Sequence, residues 1–340
     1  MNRRQADSGS AAEIDYLRWG RLVDWAQLVR LPNVFSLLTN CIAATILSVG
    51  QLFPWTAVVA VFSVSILAYW AGMILNDVAD LERDRRTRPG QPLVAGRISP
   101  AIAGHVATGM LMLGPMILLL VASYHHSSVD KIWMVVALVA NVLLWIAIRA
   151  YNSSLKLTAL GPVLMGLCRT LNILMVGFCL LAVHWGQEFS YAERLPQALV
   201  AYGLATGLYI VGVTTYARHE AGQSSQLALK LGTLLQVGGL VGIACLPLWD
   251  PGRSMHWFLD KSTYYPVLIA LIGMTVLNRA LAGVLHPVSR KVQLAVKHAL
   301  LSLILIDASV VLMWAGPYYG VATVALLLPA ILGAMKLRVT

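Results

Sequence analysis

The stretch AGMILNDVADLERDRRTRPGQPLVAGRIS, Ala71–Ser99, decides how the rest of the chain is interpreted. It begins at the end of a long apolar run and carries three aspartates, one glutamate and five arginines. A charged side chain costs about 3 kcal/mol at the centre of a bilayer and less near its surface. Charges of both signs directly after an apolar segment therefore indicate a function at the membrane edge.

The composition predicts a membrane protein. The chain has 340 residues, of which 58% are hydrophobic and 12% charged, whereas soluble domains are about 45–50% apolar and about 25% charged. The net charge of +10 does not indicate a nucleic-acid partner, because the basic residues sit between apolar segments and form no continuous basic face. The four cysteines all lie in apolar stretches without a CxxC pair, which argues against a zinc site or a disulfide framework.

A helix needs about 20 mainly apolar residues to cross a bilayer. Ten segments meet this requirement and predict an all-α polytopic membrane protein. We assign residues 1–33 to a polar N-terminus with an interfacial helix over Tyr16–Val29, and residues 34–340 to one transmembrane domain. The candidate spans are residues 34–50, 56–76, 100–123, 132–150, 159–183, 196–216, 230–248, 264–282, 297–315 and 319–336.

The positions of lysine and arginine predict the orientation, because cytoplasmic loops carry an excess of both. Alternate connections are rich in them: Arg83, Arg85, Arg86, Arg88, Arg97, Lys156, Arg218, Arg290, Lys291, Lys336 and Arg338. The opposite connections hold only Lys131, Arg194, Arg253 and Lys261. We therefore expect a multi-pass protein of the cell inner membrane, with the acidic cluster and, for ten spans, both termini on the cytoplasmic side.

The acidic residues of the opening stretch are spaced for one helix face. Asn76, Asp80 and Asp84 are four residues apart, and Asp77 joins the edge of that face. Carboxylates stacked in this way repel one another unless a cation lies between them. Mg²⁺ prefers oxygen ligands and is held by one or two carboxylates together with phosphate and water. The adjacent arginines are suited to phosphate oxygens, so the stretch predicts a site for a metal-bound polyphosphate.

The motif NDVADLERD, Asn76–Asp84, resembles the first aspartate-rich motif, NDxxDxxxD, of the UbiA superfamily of intramembrane prenyltransferases. Arg88–Ser99 is similar to the family's RPL…G(R/K)(I/L)S loop. RLPNVF, Arg30–Phe35, resembles the entry to its first span, and YNSSLK, Tyr151–Lys156, its Y…LK segment. Members of this family are helical bundles, typically of nine spans around a central cavity, which implies about nine to ten transmembrane helices here.

The resemblance implies Mg²⁺-dependent transfer of a prenyl group from a prenyl diphosphate to a lipophilic, membrane-associated acceptor, within membrane lipids and without nucleic acid. The metal ligands that it and the charge pattern predict are Asn76, Asp77, Asp80, Asp84 and Glu220. The predicted catalytic residues are Tyr151, which would face the allylic cation, together with Lys156 and Arg218. The predicted diphosphate-binding residues are Arg85, Arg88, Lys156, Arg169 and Asn172.

The second acidic motif of the family, DxxxD, is altered. Its place is TTYARHEAGQSS, Thr214–Ser225. If Tyr216 aligns with the tyrosine that often precedes this motif, the two acidic positions fall on Glu220 and Ser224. One acid is then lengthened and the other is lost, while Arg218 adds positive charge.

Gln91 also replaces the basic residue that the family usually carries before PL. Three interpretations stay open. The enzyme uses one metal, with Arg218 replacing the charge of the second ion; it acts on a different activated lipid or acceptor; or it has lost transfer chemistry. We predict a UbiA-type prenyltransferase, and the alternative is a degenerate UbiA-like protein that binds or carries an isoprenoid or diphosphate lipid without prenyl transfer.

Some polar residues lie within the predicted spans. Arg169 and Asn172 are three residues apart on one helix face, and such residues usually face the bundle interior. This pair and the altered second motif resemble the EboC-like branch of the superfamily. Asp307 is in the middle of a span, and we expect it to form an ion pair with Lys297 or Arg169.

Overall fold

The computed structural model describes residues 20–126, 129–184, 196–218, 225–250 and 257–336. Within these ranges the chain forms thirteen α-helices and three short 3-10 turns, without a β-strand. The helices are α1 (Leu22–Leu28), α2 (Val34–Val49), α3 (Trp55–Ala79), α4 (Leu81–Thr87), α5 (Pro100–Tyr124), α6 (Lys131–Tyr151), α7 (Leu160–His184), α8 (Gln197–Ala217), α9 (Gln226–Ala244), α10 (Tyr264–Leu285), α11 (Ser289–Ala315), α12 (Pro317–Ala325) and α13 (Leu327–Lys336).

Nine helices in the described ranges are long and apolar enough to cross a membrane: α2 with the turn before it, α3, and α5–α11. The predicted all-α polytopic fold is therefore confirmed. The first eight predicted spans agree with these helices to within four residues at each end. The ninth, α11, begins at Ser289 instead of residue 297, because Val292 and Ala295 continue its buried face against α10.

The tenth predicted span, residues 319–336, is wrong as a single helix. The structure has two short helices, α12 and α13, separated at Leu326. Pro329 has no backbone N–H to donate to the carbonyl of Ala325, and a proline ring clashes with the carbonyl four residues before it. The helix therefore stops at Ala325 and restarts.

The two short helices run along the bundle from the end of α11 to the start of α2. Gly320 of α12 lies against Leu312, near the last turn of α11, and Gly333 of α13 lies against Pro32, just before α2. Contacts between the ends of neighbouring helices show that the spans alternate in direction. The helices α3, α6, α8 and α10 therefore end where α2, α5, α7, α9 and α11 begin. We call this the site end of the bundle.

Asp307 is fully buried in α11 and connects three helices. Its Oδ2 accepts hydrogen bonds from Thr39 Oγ1 at 2.6 Å and Asn40 Nδ2 at 2.7 Å, both on α2. Its Oδ1 accepts a hydrogen bond from the hydroxyl of Tyr202 on α8 at 2.6 Å. Three neutral donors therefore satisfy this carboxyl group in the middle of the bundle.

The expected ion pair of Asp307 with Lys297 or Arg169 is wrong. Lys297 is exposed on the outer face of α11. The guanidinium of Arg169 donates instead to Ser36 Oγ at 3.4 Å. The sequence identified a buried acid that needs partners, but polar residues of α2 and α8 supply them.

Glycines allow α8 to pack closely on both of its neighbours. On one side, a Cβ built on Gly166 of α7 would lie 2.5 Å from the carbonyl oxygen of Gly207. On the other, a Cβ on Gly212 would lie 2.7 Å from the carbonyl oxygen of Gly232 in α9. These contacts are to backbone atoms, which cannot rotate away, so both helix crossings require glycine.

Replacing Gly212 with alanine is expected to lower the free energy of unfolding by about 1–3 kcal/mol, because the new methyl group forces α8 and α9 apart. Gly109→Ala in α5 is the matched control, since nothing lies within 4 Å of a Cβ at that position. The control should be neutral or stabilising by up to about 1 kcal/mol. Unfolding of both variants in detergent measures the difference, and equal stabilities would contradict this packing.

Candidate functional site

The charged stretch folds into two consecutive helices at the site end, α3 and α4, with Asp80 between them. The Asp80 N–H donates to the Asn76 carbonyl at 3.0 Å, and the Asp84 N–H donates to the Asp80 carbonyl at 2.9 Å. Helical hydrogen bonding therefore continues across the junction, and the predicted common face is retained. Asn76 and Asp80 are each 9% exposed, and Asp77 and Asp84 are each 4% exposed.

Lys156 joins the turn after α6 to this acidic face. Its Nζ donates to Asn76 Oδ1 at 2.7 Å and forms a salt bridge with Asp80. Burial lowers the pKa of Lys156 below its ordinary value, although the neighbouring Asp80 opposes that change. The Nη2 of Arg83 in α4 lies 2.7 Å from the same carboxylate. Two cations therefore compensate the charge of Asp80.

Arg30 compensates Asp77 from the segment before α2. Its Nη2 lies 3.2 Å from Asp77 Oδ1, to which the Asn76 amide also donates at 3.4 Å. The Arg30 backbone has φ 48° and ψ 54°, the left-handed region that non-glycine residues rarely adopt. Such backbone strain concentrates at functional sites. Here the residue in this conformation is the one whose guanidinium contacts the buried carboxylate of Asp77.

Asp84 differs from the other two aspartates. No hydrogen bond or ion pair reaches its carboxylate from the residues that the structure describes. Asp77 and Asp84 are close enough for their charges to repel each other. A buried acid with no compensating cation next to another acid is an unfavourable arrangement, and a bound cation would relieve it.

The donor set is compatible with Mg²⁺. Within the described ranges, no three side chains among His, Cys, Asp and Glu are close enough to hold a metal by themselves. Magnesium does not need such a cage, because it keeps several waters and takes one or two carboxylates together with phosphate oxygens. Asp84 and Asp77 offer carboxylate oxygens of this kind. The Asn76 amide oxygen would become a ligand only after Lys156 had left it, and Asp80 only after both Lys156 and Arg83 had left it.

Tyr151, at the end of α6, lies beside this cluster. Its ring centroid is 5.7 Å from Lys156 Nζ, within the range of a cation–π contact. The next residue, Asn152, donates to the carbonyl of Gly72 in α3 at 3.4 Å and to that of Ile148 at 3.0 Å. These two bonds hold the end of α6 against α3. The ring is therefore kept next to the acidic face.

Other predicted phosphate ligands lie around the cluster. Arg85 pairs with the exposed Glu82 at 2.8 Å, and Arg88 is exposed. The Nη2 of Arg218 donates to the carbonyl of Leu157 at 2.6 Å, so Arg218 is hydrogen-bonded to the turn that carries Lys156, and it forms no ion pair with the described acids.

Two further predicted diphosphate-binding residues, Arg169 and Asn172, lie deeper in the bundle. Arg169 contacts Ser36 of α2, and Asn172 donates weakly to Cys41 Sγ at 3.8 Å. Both therefore face the interior, as predicted, but lie against α2 and not among the carboxylates. Glu220 lies outside the described residues.

Sequence reasoning missed two cations of the site, Arg30 and Arg83. Arg83 had a usable signal, because residues three apart on a helix are neighbours and Arg83 follows Asp80 by three. Arg30 is 47 residues away from its partner Asp77. Only the fold brings the start of α2 to the end of α3.

A loop and the short helix α1 close this end of the bundle. Arg97 Nε lies 2.6 Å from Asp24 Oδ1, and Arg97 Nη2 donates to the Gly90 carbonyl at 3.1 Å. Burial opposes ionisation of Asp24, but the Arg21 amide and the Arg97 guanidinium together lower its pKa below the ordinary value. The ion pair fastens α1 to the loop between α4 and α5.

The sequence is similar to two curated proteins, both named digeranylgeranylglyceryl phosphate synthase. The relative from Ignicoccus hospitalis is 26% identical over 231 residues, 67% of this chain and 71% of that protein. The relative from Sulfurisphaera tokodaii is 26% identical over 208 residues, 61% of this chain and 69% of that protein. No protein-family model matches the chain.

Solved structures share the fold. A UbiA homologue from Aeropyrum pernix K1 superposes with a TM-score of 0.60 at 19% identity, covering 82% of this chain and 97% of that one. A structure of digeranylgeranylglyceryl phosphate synthase gives 0.57 at 18% identity, covering 92% and 98%. A UbiA homologue from Archaeoglobus fulgidus gives 0.52 at 16% identity, covering 89% and 99%.

The fold and the buried acidic cluster define a polytopic helical membrane protein with a charged site at one end of its bundle. The chain is similar to two proteins named digeranylgeranylglyceryl phosphate synthase and shares the fold of solved homologues from the UbiA superfamily. The NDVADLERD motif predicted the same superfamily.

Replacing Lys156 with glutamine should strengthen Mn²⁺ binding in the absence of diphosphate. The ammonium group that occupies Asp80 is then gone, and we expect about tenfold tighter binding, or about 1.4 kcal/mol. Electron paramagnetic resonance of Mn²⁺ measures the affinity. Lys131→Gln removes the same charge at the opposite end of the bundle and should have no effect. Weaker Mn²⁺ binding by Lys156→Gln would contradict this competition between lysine and metal.

Proposed function

We propose that this protein is a Mg²⁺-dependent prenyltransferase that transfers a prenyl group from a prenyl diphosphate to a membrane-associated acceptor. The names of the sequence relatives and the resemblance of the first acidic motif support this class of enzyme. The single observation that carries the proposal is the buried face of Asn76, Asp77, Asp80 and Asp84, surrounded by cations from three other segments.

The arrangement suits a diphosphate that arrives with its metal. Asp84 and Asp77 present carboxylate oxygens, while Lys156, Arg83 and Arg30 present charges that match phosphate oxygens. The three cations need only exchange a carboxylate partner for a phosphate partner. Bound Mg²⁺ would supply further positive charge against the negative charge that develops on the leaving diphosphate.

The chain's own residues have distinct tasks in this reaction. Lys156 binds the leaving diphosphate through its ammonium group and neutralises part of its charge. Tyr151 presents a ring face beside Lys156, and a ring face stabilises a nearby cation such as an allylic one. The apolar spanning helices exclude water, which would otherwise capture that cation.

Arg218 has a positioning task in the proposal. Its guanidinium donates a hydrogen bond of 2.6 Å to the carbonyl of Leu157, directly after Lys156, and so fixes the turn that places the ammonium group.

The order of the motifs and the distribution of basic residues support a site end that faces the cytoplasm.

The altered second motif favours a competing function. Ser224 carries no charge where the family has an aspartate, which is consistent with a protein that binds an isoprenoid diphosphate without transferring the prenyl group. The two functions differ in turnover. Both require the acidic face, so binding alone does not separate them.

Release of diphosphate from radiolabelled farnesyl or geranylgeranyl diphosphate tests the proposal, with membrane extract as the source of acceptor. We expect release to require Mg²⁺ and to fall about 100-fold or more in Asp80→Asn, because loss of a group that stabilises the charge of a transition state costs about that factor. Lys131→Gln at the opposite end of the bundle is the control.

Tight, Mg²⁺-dependent binding with no diphosphate release would establish the competing function instead. Release that persists unchanged in Asp80→Asn, or in a strong magnesium chelator, would contradict the proposed site.

A further inference from the structure

A second polar region lies on the outer face of the bundle, in the groove between α10 and α11. Thr275 Oγ1 of α10 and His298 Nε2 of α11 are 3.0 Å apart and connect the two helices. This contact fixes the register of the antiparallel pair. Arg279 then lies level with Leu294, and Lys291 lies level with Ala282, so the two cationic residues are about 4.5 Å apart along the helix axis.

Both cationic residues are exposed, and neither forms an ion pair with a residue that the structure describes. The sequence contains no acid between Asp260 and Asp307, and α8 and α9 contain none either. Asp307 is buried on the inner side of α11, where it is bound to α2 and α8. Acids of the neighbouring helices therefore do not compensate this groove.

The depth of the groove matches the headgroup layer. With its 27 residues, α11 is about 40 Å long, whereas the hydrocarbon core is about 30 Å thick. Lys291 lies in its first turn at the site end, so it lies beyond the hydrocarbon when the excess length of the helix emerges at that end. Arg279 is six residues before the end of α10, about 9 Å along the axis, and an arginine side chain can extend towards the interface from that depth.

From this placement we propose that the groove between α10 and α11 binds the phosphate of an anionic phospholipid. Arg279 and Lys291 contact the phosphate oxygens, and the acyl chains lie along the exposed apolar residues Leu281, Leu285 and Leu294. Basic pockets between transmembrane helices recognise anionic headgroups in this way. This site is distinct from the acidic face and is independent of the proposed prenyl transfer.

A second copy of the chain does not match the groove. Among the acids in the described ranges, only Glu82 and Asp260 are exposed. Glu82 pairs with Arg85, and Asp260 follows the turns at the opposite end of the bundle, just before α10 begins. Neither offers a carboxylate within reach of Arg279, whereas lipid phosphates surround the protein at the interface towards which the Arg279 side chain extends.

Native mass spectrometry of the protein with dioleoyl phosphatidylglycerol or dioleoyl phosphatidylcholine tests the proposal. Each basic residue near an anionic lipid surface strengthens binding about fivefold, so removing both in Arg279→Gln/Lys291→Gln should weaken phosphatidylglycerol binding about 25-fold. Phosphatidylcholine binding should change little. Inorganic phosphate at the same concentration should not displace the lipid.

Two further variants keep the test decisive. Lys131→Gln/Arg149→Gln removes the same types of charge from exposed positions of α6 and should retain the lipid. Arg279→Lys/Lys291→Arg conserves both charges, on which attraction to an anionic headgroup depends, and its affinity should stay within about threefold of the original. The proposal is overturned if the glutamine variant retains phosphatidylglycerol, if the conservative variant loses it, or if phosphatidylcholine binds equally well.

Discussion

Compensation of buried negative charge at the end of α3 is the constraint on which this structure depends. A carboxylate removed from water costs several kcal/mol unless a cation and hydrogen bonds replace the solvent. The chain meets this cost with Arg30 from before α2, Arg83 from α4 and Lys156 from after α6. Three separate segments must therefore converge on one helix face, and the arrangement of the spanning helices makes this possible.

The compensation is incomplete, and this is what makes the site chemically useful. Asp84 has no cationic partner in the described chain and lies near Asp77. The salt bridges on Asp77 and Asp80 use side chains that also bind phosphate well. Such a site is stable enough to fold and, in the proposed function, would gain by accepting a metal and a diphosphate together. By contrast, both carboxyl oxygens of Asp307 accept hydrogen bonds from neutral donors, and these bonds connect α11 to α2 and α8.

The sequence predicted the spans because hydrophobic length is a strong signal, and it predicted the common face of Asn76, Asp80 and Asp84 because helical spacing is regular. It failed where the answer depended on distant residues. The break at Leu326 follows from Pro329 in the sequence. The contact of Gly333 in α13 with Pro32 does not follow from any local sequence feature.

The partners of the buried acids were equally hidden from the sequence. Nothing in the sequence near Asp307 indicates Thr39 and Tyr202 as its donors, and nothing near Asp77 indicates Arg30. Local periodicity therefore located the polar groups that need partners, and only the tertiary structure identified the partners.

A structure of the protein with Mg²⁺ and an unreactive thio-analogue of a prenyl diphosphate is the most direct test of this account. We predict that Lys156 Nζ leaves Asp80 and lies within about 3 Å of a phosphate oxygen, with Asp84 in the coordination sphere of the metal. An intact pair of Lys156 and Asp80, with the diphosphate bound elsewhere in the bundle, would contradict it.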